Sequence, residues 1–205
     1  RDKQPHSGLD FSDPKLGTAG RTQPTIGLLP RGNYFGGQSG AGYNFPALVR
    51  PGAGRKLARN AIELVSLEVG YVLTMGRLIL TAHSGGGAPL AAVVADADPD
   101  EVHIFDGTYG TGSAIASWAR RRIAREVAEP SGSPPAMRIL FRPGTQTQVQ
   151  AKAIWQQVCS ALHEHSAAHL RGRFRVEATT VGHNDIPSRY GWRLLADAQF
   201  DLPDA

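Results

Sequence analysis

Apolar and polar positions along this chain fall into blocks that predict strands and helices in alternation. Short apolar runs at 25–29, 77–82, 101–105, 137–141 and 173–181 read as strands. Longer stretches with helical spacing lie at 54–71, 86–96, 112–128, 149–170 and near 187–198. In the first helix Leu57, Ala61, Leu64, Val65 and Val69 form a stripe expected to face the sheet. Strands that alternate with helices imply parallel pairing, with helices covering both faces. The fold class expected is therefore α/β: a three-layer α/β/α sandwich around a mostly parallel central sheet. Residues 1–23, rich in Pro, Gly, Asp and Lys and without periodicity, form an irregular N-terminal segment ahead of a single domain spanning 24–205.

The most informative boundary between elements is Leu78 to Leu90. An apolar run enters Ala82-His83-Ser84-Gly85-Gly86, and a helix-forming run follows. A strand that turns this sharply into a helix needs small residues two before and two after the apex, and Ala82 and Gly86 supply them. The turn presents the Ser84 hydroxyl above the sheet. It also sets the Gly85 N–H at a helix N-terminus, where it can hold a developing oxyanion. Taken alone, the pentapeptide also fits a strand-to-helix turn whose serine caps the helix.

Two later strand ends bear on that choice. The strand at 101–105 runs into Asp106-Gly107-Thr108-Tyr109-Gly110, and the strand at 173–181 runs into Gly182-His183-Asn184-Asp185. A serine hydroxyl needs a base to become a nucleophile. Imidazole titrates near neutral pH, and a carboxylate orients it and stabilises its charged form. The order Ser84, Asp106, His183, each after a strand, resembles the α/β-hydrolase superfamily. The elbow and the late Gly-His carry that resemblance, and the order of elements extends it from about Pro24 to the C-terminus.

The resemblance implies a compact serine hydrolase without a lid domain. Ser84 would be the nucleophile, His183 the base and Asp106 the acid. In most hydrolases of this fold the acid follows the second strand after the nucleophile. Here that loop, Arg142 to Gln148, holds no carboxylate, and Glu126 and Glu129 lie upstream on a helix, which directs the assignment to Asp106. Asp185 remains the rival acid, with a helix cap as its other role. The family pattern draws a second oxyanion donor from the loop after an early strand, which points to the N–H groups of Arg31, Gly32 and Asn33. His83, Asn33, Tyr34 and Tyr109 are the cleft candidates. Tyr34, Phe35, Tyr43 and Phe45 in the glycine-rich stretch 32–54 either line a cleft or pin the loop to the core.

Composition narrows the remaining classes. The chain has 205 residues with 41% hydrophobic and 20% charged content, as expected for one soluble globular domain. No apolar run approaches the ~20 residues of a membrane-spanning helix. The single cysteine, Cys159, excludes an internal disulfide. A net charge of +4 is mild, and the arginines at 120–122, 125, 171, 173 and 175 read as solvated charge, so nucleic acid is not an expected partner. His165 and His169 share a face of the helix expected over 149–170, but Cys and carboxylate partners to complete a metal set are lacking, and no metal or other cofactor is expected. A chain that begins at Arg1 without an initiator Met fits a secreted or periplasmic protein, a linker from a longer polypeptide or an arm on the body. The expected partner is a small-molecule or polymeric ester or amide. Acyl transfer uses the same triad, and a non-catalytic binding or scaffold domain on the same fold is the alternative reading.

Overall fold

The computed structural model describes residues 25–30, 45–110 and 112–190. Its elements are α1 (Ala53–Val69), β1 (Ile79–His83), α2 (Gly87–Ala97), β2 (Glu101–Phe105), α3 (Gly112–Ala128), β3 (Ala136–Phe141), α4 (Gln146–Glu164), β4 (Phe174–Ala178) and α5 (Ile186–Tyr190). Short 3₁₀ turns at Ser84–Gly86, Ala168–Arg173 and His183–Asp185 link them. The four strands form one sheet in the order β1-β2-β3-β4, and every pair is parallel.

Strands that are both sequential and parallel, joined by right-handed crossovers, must carry their helices on one face. Accordingly α2, α3 and α4 share a single core with Ala82 of β1, Val102 and Ile104 of β2, Met137, Ile139 and Phe141 of β3, and Phe174 of β4. Trp118 is fully buried there and donates its indole N–H to the Pro99 carbonyl at 3.0 Å. The opposite face of β2 and β3 is buried as well, and beside Phe105 and Leu140 it carries polar side chains. Glu101, His103 and Arg138 are at most 1% exposed. Glu101 bonds Arg77 at 2.9 Å and His103 at 3.0 Å.

Several expected boundaries move. Residues 25–29 form no strand; Ile26, Leu28 and Leu29 are exposed, because apolar character alone supplies no partner for strand N–H and C=O groups. Of the stripe on α1, Ala61 and Val65 are half-buried, whereas Leu57, Leu64 and Val69 are exposed, Leu64 at 71%. The packed face of α1 is rotated towards its small residues. Gly54 lies so close to α2 that a Cβ there would stand 2.9 Å from Val93 Cγ1, and Ala58 is buried beside it. Helix α4 starts at Gln146 and ends at Glu164, because Ser166 adopts φ 52° and breaks the helical run. His169 thus belongs to the following 3₁₀ turn and His165 caps the helix, so the two do not share a helix face. The strand expected over 173–181 is β4, shorter at 174–178, and the helix expected near 187–198 is described from Ile186 to Tyr190.

Candidate active site

Parallel strands point their C-terminal ends to one edge, and β1, β2 and β4 each hand the chain to a candidate side chain there: Ser84, Asp106 and His183. Ser84 leaves β1 with φ 54°, a left-handed conformation that serine rarely adopts. Asp106 leaves β2 with φ 45°, and its N–H extends the ladder to the Leu140 carbonyl at 2.8 Å. Beyond β4, Thr179 N–H bonds the Phe141 carbonyl at 2.9 Å; the chain then turns at Gly182 and places His183 at the start of a 3₁₀ turn.

These ends bring three side chains into contact. Ser84 Oγ lies 2.8 Å from His183 Nε2, and His183 Nδ1 lies 2.7 Å from Asp106 Oδ2. An ionised carboxylate only accepts, so Nδ1 carries the imidazole proton and Nε2 is free to accept from the serine hydroxyl. Burial alone would raise the Asp106 pKa, but the Thr147 hydroxyl, the His183 ring and the Arg142 N–H all bond the carboxylate, and together they hold it below its ordinary value. Both Thr147 Oγ1 and Arg142 N–H donate to Oδ1, leaving Oδ2 to the imidazole. Asp185, the rival acid, sets its carboxylate against Gly182, where a Cβ would come within 2.8 Å of Oδ2. The Ser188 hydroxyl bonds the Asp185 carbonyl at 2.9 Å.

The elbow is tight, but at glycines other than the expected one. A Cβ on Gly86 would stand 3.6 Å from Ala82 Cβ, an ordinary contact. A Cβ on Gly87 would stand 1.6 Å from the Gly107 carbonyl oxygen, and one on Gly107 would come within 2.7 Å of the Ser84 carbonyl oxygen. The loop after β2 is therefore pressed directly onto the serine turn. This close approach couples the Asp106 loop to the Ser84 backbone. Gly85 follows Ser84 in the 3₁₀ turn that opens into α2, in the first turn of helical backbone, where N–H groups lack an acceptor within the helix.

Tyr109 is 39% exposed. Burial and the Asp106 charge push its phenol pKa up, against the opposing charge of Arg142. The Nε2 of His83 lies 2.9 Å from the His183 carbonyl oxygen, and the two rings are 4.7 Å apart. Burial lowers the His83 pKa, and the nearby His183 adds to this; the bond to the His183 carbonyl and the Asp106 charge oppose it. Arg31, Gly32, Asn33 and Tyr34, expected as second oxyanion donors and cleft walls, lie outside the described residues.

Thr147 and the Arg142 N–H escaped the sequence reading, although a signal for them exists. Thr145-Gln146-Thr147-Gln148 has the form of a helix-start box, and Gln148 Oε1 accepts from Gly144 N–H at 2.6 Å just ahead of α4. That start sets Thr147 in the first turn, beside Asp106. Among the described residues no cluster of His, Cys, Asp or Glu could hold a metal ion. None of their helices is long and apolar enough to cross a membrane. Comparison with protein-family models, with curated proteins and with solved structures finds no match to this chain.

Proposed function

We propose that this protein is a serine hydrolase that works through an acyl-enzyme on an ester or amide, on a shortened α/β-hydrolase-like sandwich. The observation that carries the reading is the unbroken relay from Ser84 through His183 to Asp106, with links of 2.8 and 2.7 Å. Three residues separated by up to 99 positions in sequence meet in the tautomeric arrangement nucleophilic catalysis needs. The left-handed backbone at Ser84 adds to this, since such strain is retained where the surrounding structure enforces it, and it clusters at functional sites.

The chemistry follows from the geometry. Ser84 Oγ attacks the carbonyl carbon while His183 Nε2 takes its proton. The resulting oxyanion lies near the Gly85 N–H, and Asp106 stabilises the imidazolium. Collapse breaks the bond to the leaving group, which receives the proton from His183. Water then repeats the sequence on the acyl-enzyme, releasing the acid and restoring Ser84. A different acceptor in the second half would make the same site an acyltransferase.

Fluorophosphonate labelling of the purified protein beside Ser84→Ala tests the reading. Covalent labelling at Ser84, lost in Ser84→Ala, is the expected result, together with turnover of activated esters. Removing the nucleophile of such a unit lowers kcat by about 10⁶. A folded wild type that neither labels nor hydrolyses graded esters and amides would overturn it and turn attention to the scaffold reading.

A further inference from the structure

The residue immediately before the nucleophile has a task that the triad leaves unassigned. Strand alternation sends Ala82 into the helix-side core and His83 to the opposite face, in the same row as Phe105 and Leu140. From there its Nε2 reaches the main-chain oxygen of His183, 100 residues away in sequence. A carbonyl only accepts, so Nε2 carries the proton and Nδ1 is bare. The rings stand 4.7 Å apart with their planes tilted by 37°, so His83 touches the imidazole as well as its backbone.

The loop bearing His183 needs such a tether. Among the described residues its last ladder bond to the sheet is Thr179 N–H to Phe141, and the later main-chain donors, Val181 N–H to Thr179 Oγ1 and the Asp185 and Ile186 N–H groups to the Gly182 carbonyl, stay within the loop and the start of α5. The imidazole must nevertheless satisfy Ser84 and Asp106 at once, with two links below 3 Å. Misplacement of a reacting group by about 1 Å lowers the rate by up to about 10²-fold. The bond from His83 ties the base's own residue to the strand that carries the nucleophile, so the two partners move as one piece.

We propose that His83 is a positioning residue, which fixes the His183 main chain to β1 and holds the imidazole on Ser84 and Asp106. It acts as a neutral donor. Burial and the neighbouring His183 both disfavour its charged form, against the carbonyl bond and the Asp106 charge, and on balance its pKa is lowered. A neutral ring avoids placing a second cation beside the imidazolium that forms during turnover. The inference rests on the hydrolase reading for its consequence in catalysis, but its geometry can be tested separately.

The experiment compares wild type, His83→Phe and His83→Gln by rate of fluorophosphonate labelling, by steady-state ester hydrolysis and by NMR of ¹⁵N-labelled imidazoles. His83→Phe should slow labelling by roughly tenfold to a hundredfold. The loss should fall on kcat with KM little changed, and the low-field Nδ1–H resonance of His183 should broaden or vanish. His83→Gln, whose amide N–H can donate to the same carbonyl, should recover most of the rate. In wild type the His83 ring should be the Nε2–H tautomer at neutral pH. Labelling at wild-type rate and an unchanged Nδ1–H signal in a folded His83→Phe would overturn the proposal, as would a wild-type His83 protonated on Nδ1 alone. Failure of the hydrolase reading looks different: wild type itself would not label, while the Nδ1–H signal and its dependence on His83 would persist.

Discussion

At the scale of single residues, the site is set by which oxygen of Asp106 faces which donor. Oδ1 is held by Thr147 and the Arg142 N–H, and Oδ2 by His183 Nδ1. Asp106→Asn preserves the shape but favours the wrong imidazole tautomer, and should lower kcat/KM by about 10⁴. Asp185→Asn should stay within a few-fold, and a reversed ranking in ester hydrolysis would reassign the acid. Because the folded Asp106 pKa is depressed, its ionised form stabilises the fold above the ordinary carboxylate range near 3.9, and that contribution fades as pH falls through the lower folded value. Thr147→Val removes a donor to the carboxylate, so acid unfolding followed by circular dichroism should begin at higher pH. His83 titrates with a consequence of the same sign at higher pH. Its folded pKa is lowered, so the unfolded chain binds the extra proton first, and stability should decline as pH drops below about 6.5. His83→Gln should flatten that slope in urea unfolding between pH 5 and 7.

At the scale of elements, the strand-to-helix turn after β1 and the loop after β2 are one packed unit. Gly87 touches the Gly107 carbonyl, and Gly107 touches the Ser84 backbone. Gly87→Ala asks a main-chain oxygen to retreat from a contact of 1.6 Å. It should cost more than about 3 kcal/mol, or prevent folding. Gly86→Ala has ordinary clearance and right-handed dihedrals, and should change stability by less than about 1 kcal/mol. Thermal unfolding of the two variants checks the contrast; equal loss would show that the elbow's small-residue requirement is placed wrongly here. The sequence pattern points to Gly86 through its spacing from Ser84. The constraint on Gly87 comes from a neighbouring loop that spacing does not reveal.

At the scale of the molecule, the sheet has two unlike faces. One is the apolar core shared with α2, α3 and α4, and the other buries Glu101, His103 and Arg138. Glu101→Ala would strip a buried acceptor from Arg77 and His103, with an expected cost of about 3 kcal/mol. In a chain of this size that lowers the melting temperature by roughly 10 °C. Fluorophosphonate labelling of the folded fraction should persist, because Glu101 and His103 lie at the start and middle of β2, away from the strand end that bears Asp106.

Much of this architecture is legible in the chain. Strand β2 and helix α3 occupy the spans that apolar periodicity predicts, because short apolar runs and helical stripes report local burial directly. The positions of Ser84, Asp106 and His183 beyond the ends of β1, β2 and β4 follow from the same pattern, since parallel strands joined by helices must all end at one edge. The run at 25–29 and the leucines of α1 mislead, because apolarity states a preference for burial without naming a partner. Tertiary structure decided the rest. It set which carboxylate reaches the imidazole, that Thr147 and the Arg142 N–H secure it, that the His83 ring meets the His183 main chain, and that Gly87 rather than Gly86 is the crowded glycine. Each of these depends on contacts between segments tens of residues apart, and a period of two or 3.6 residues carries no information about which segments will meet.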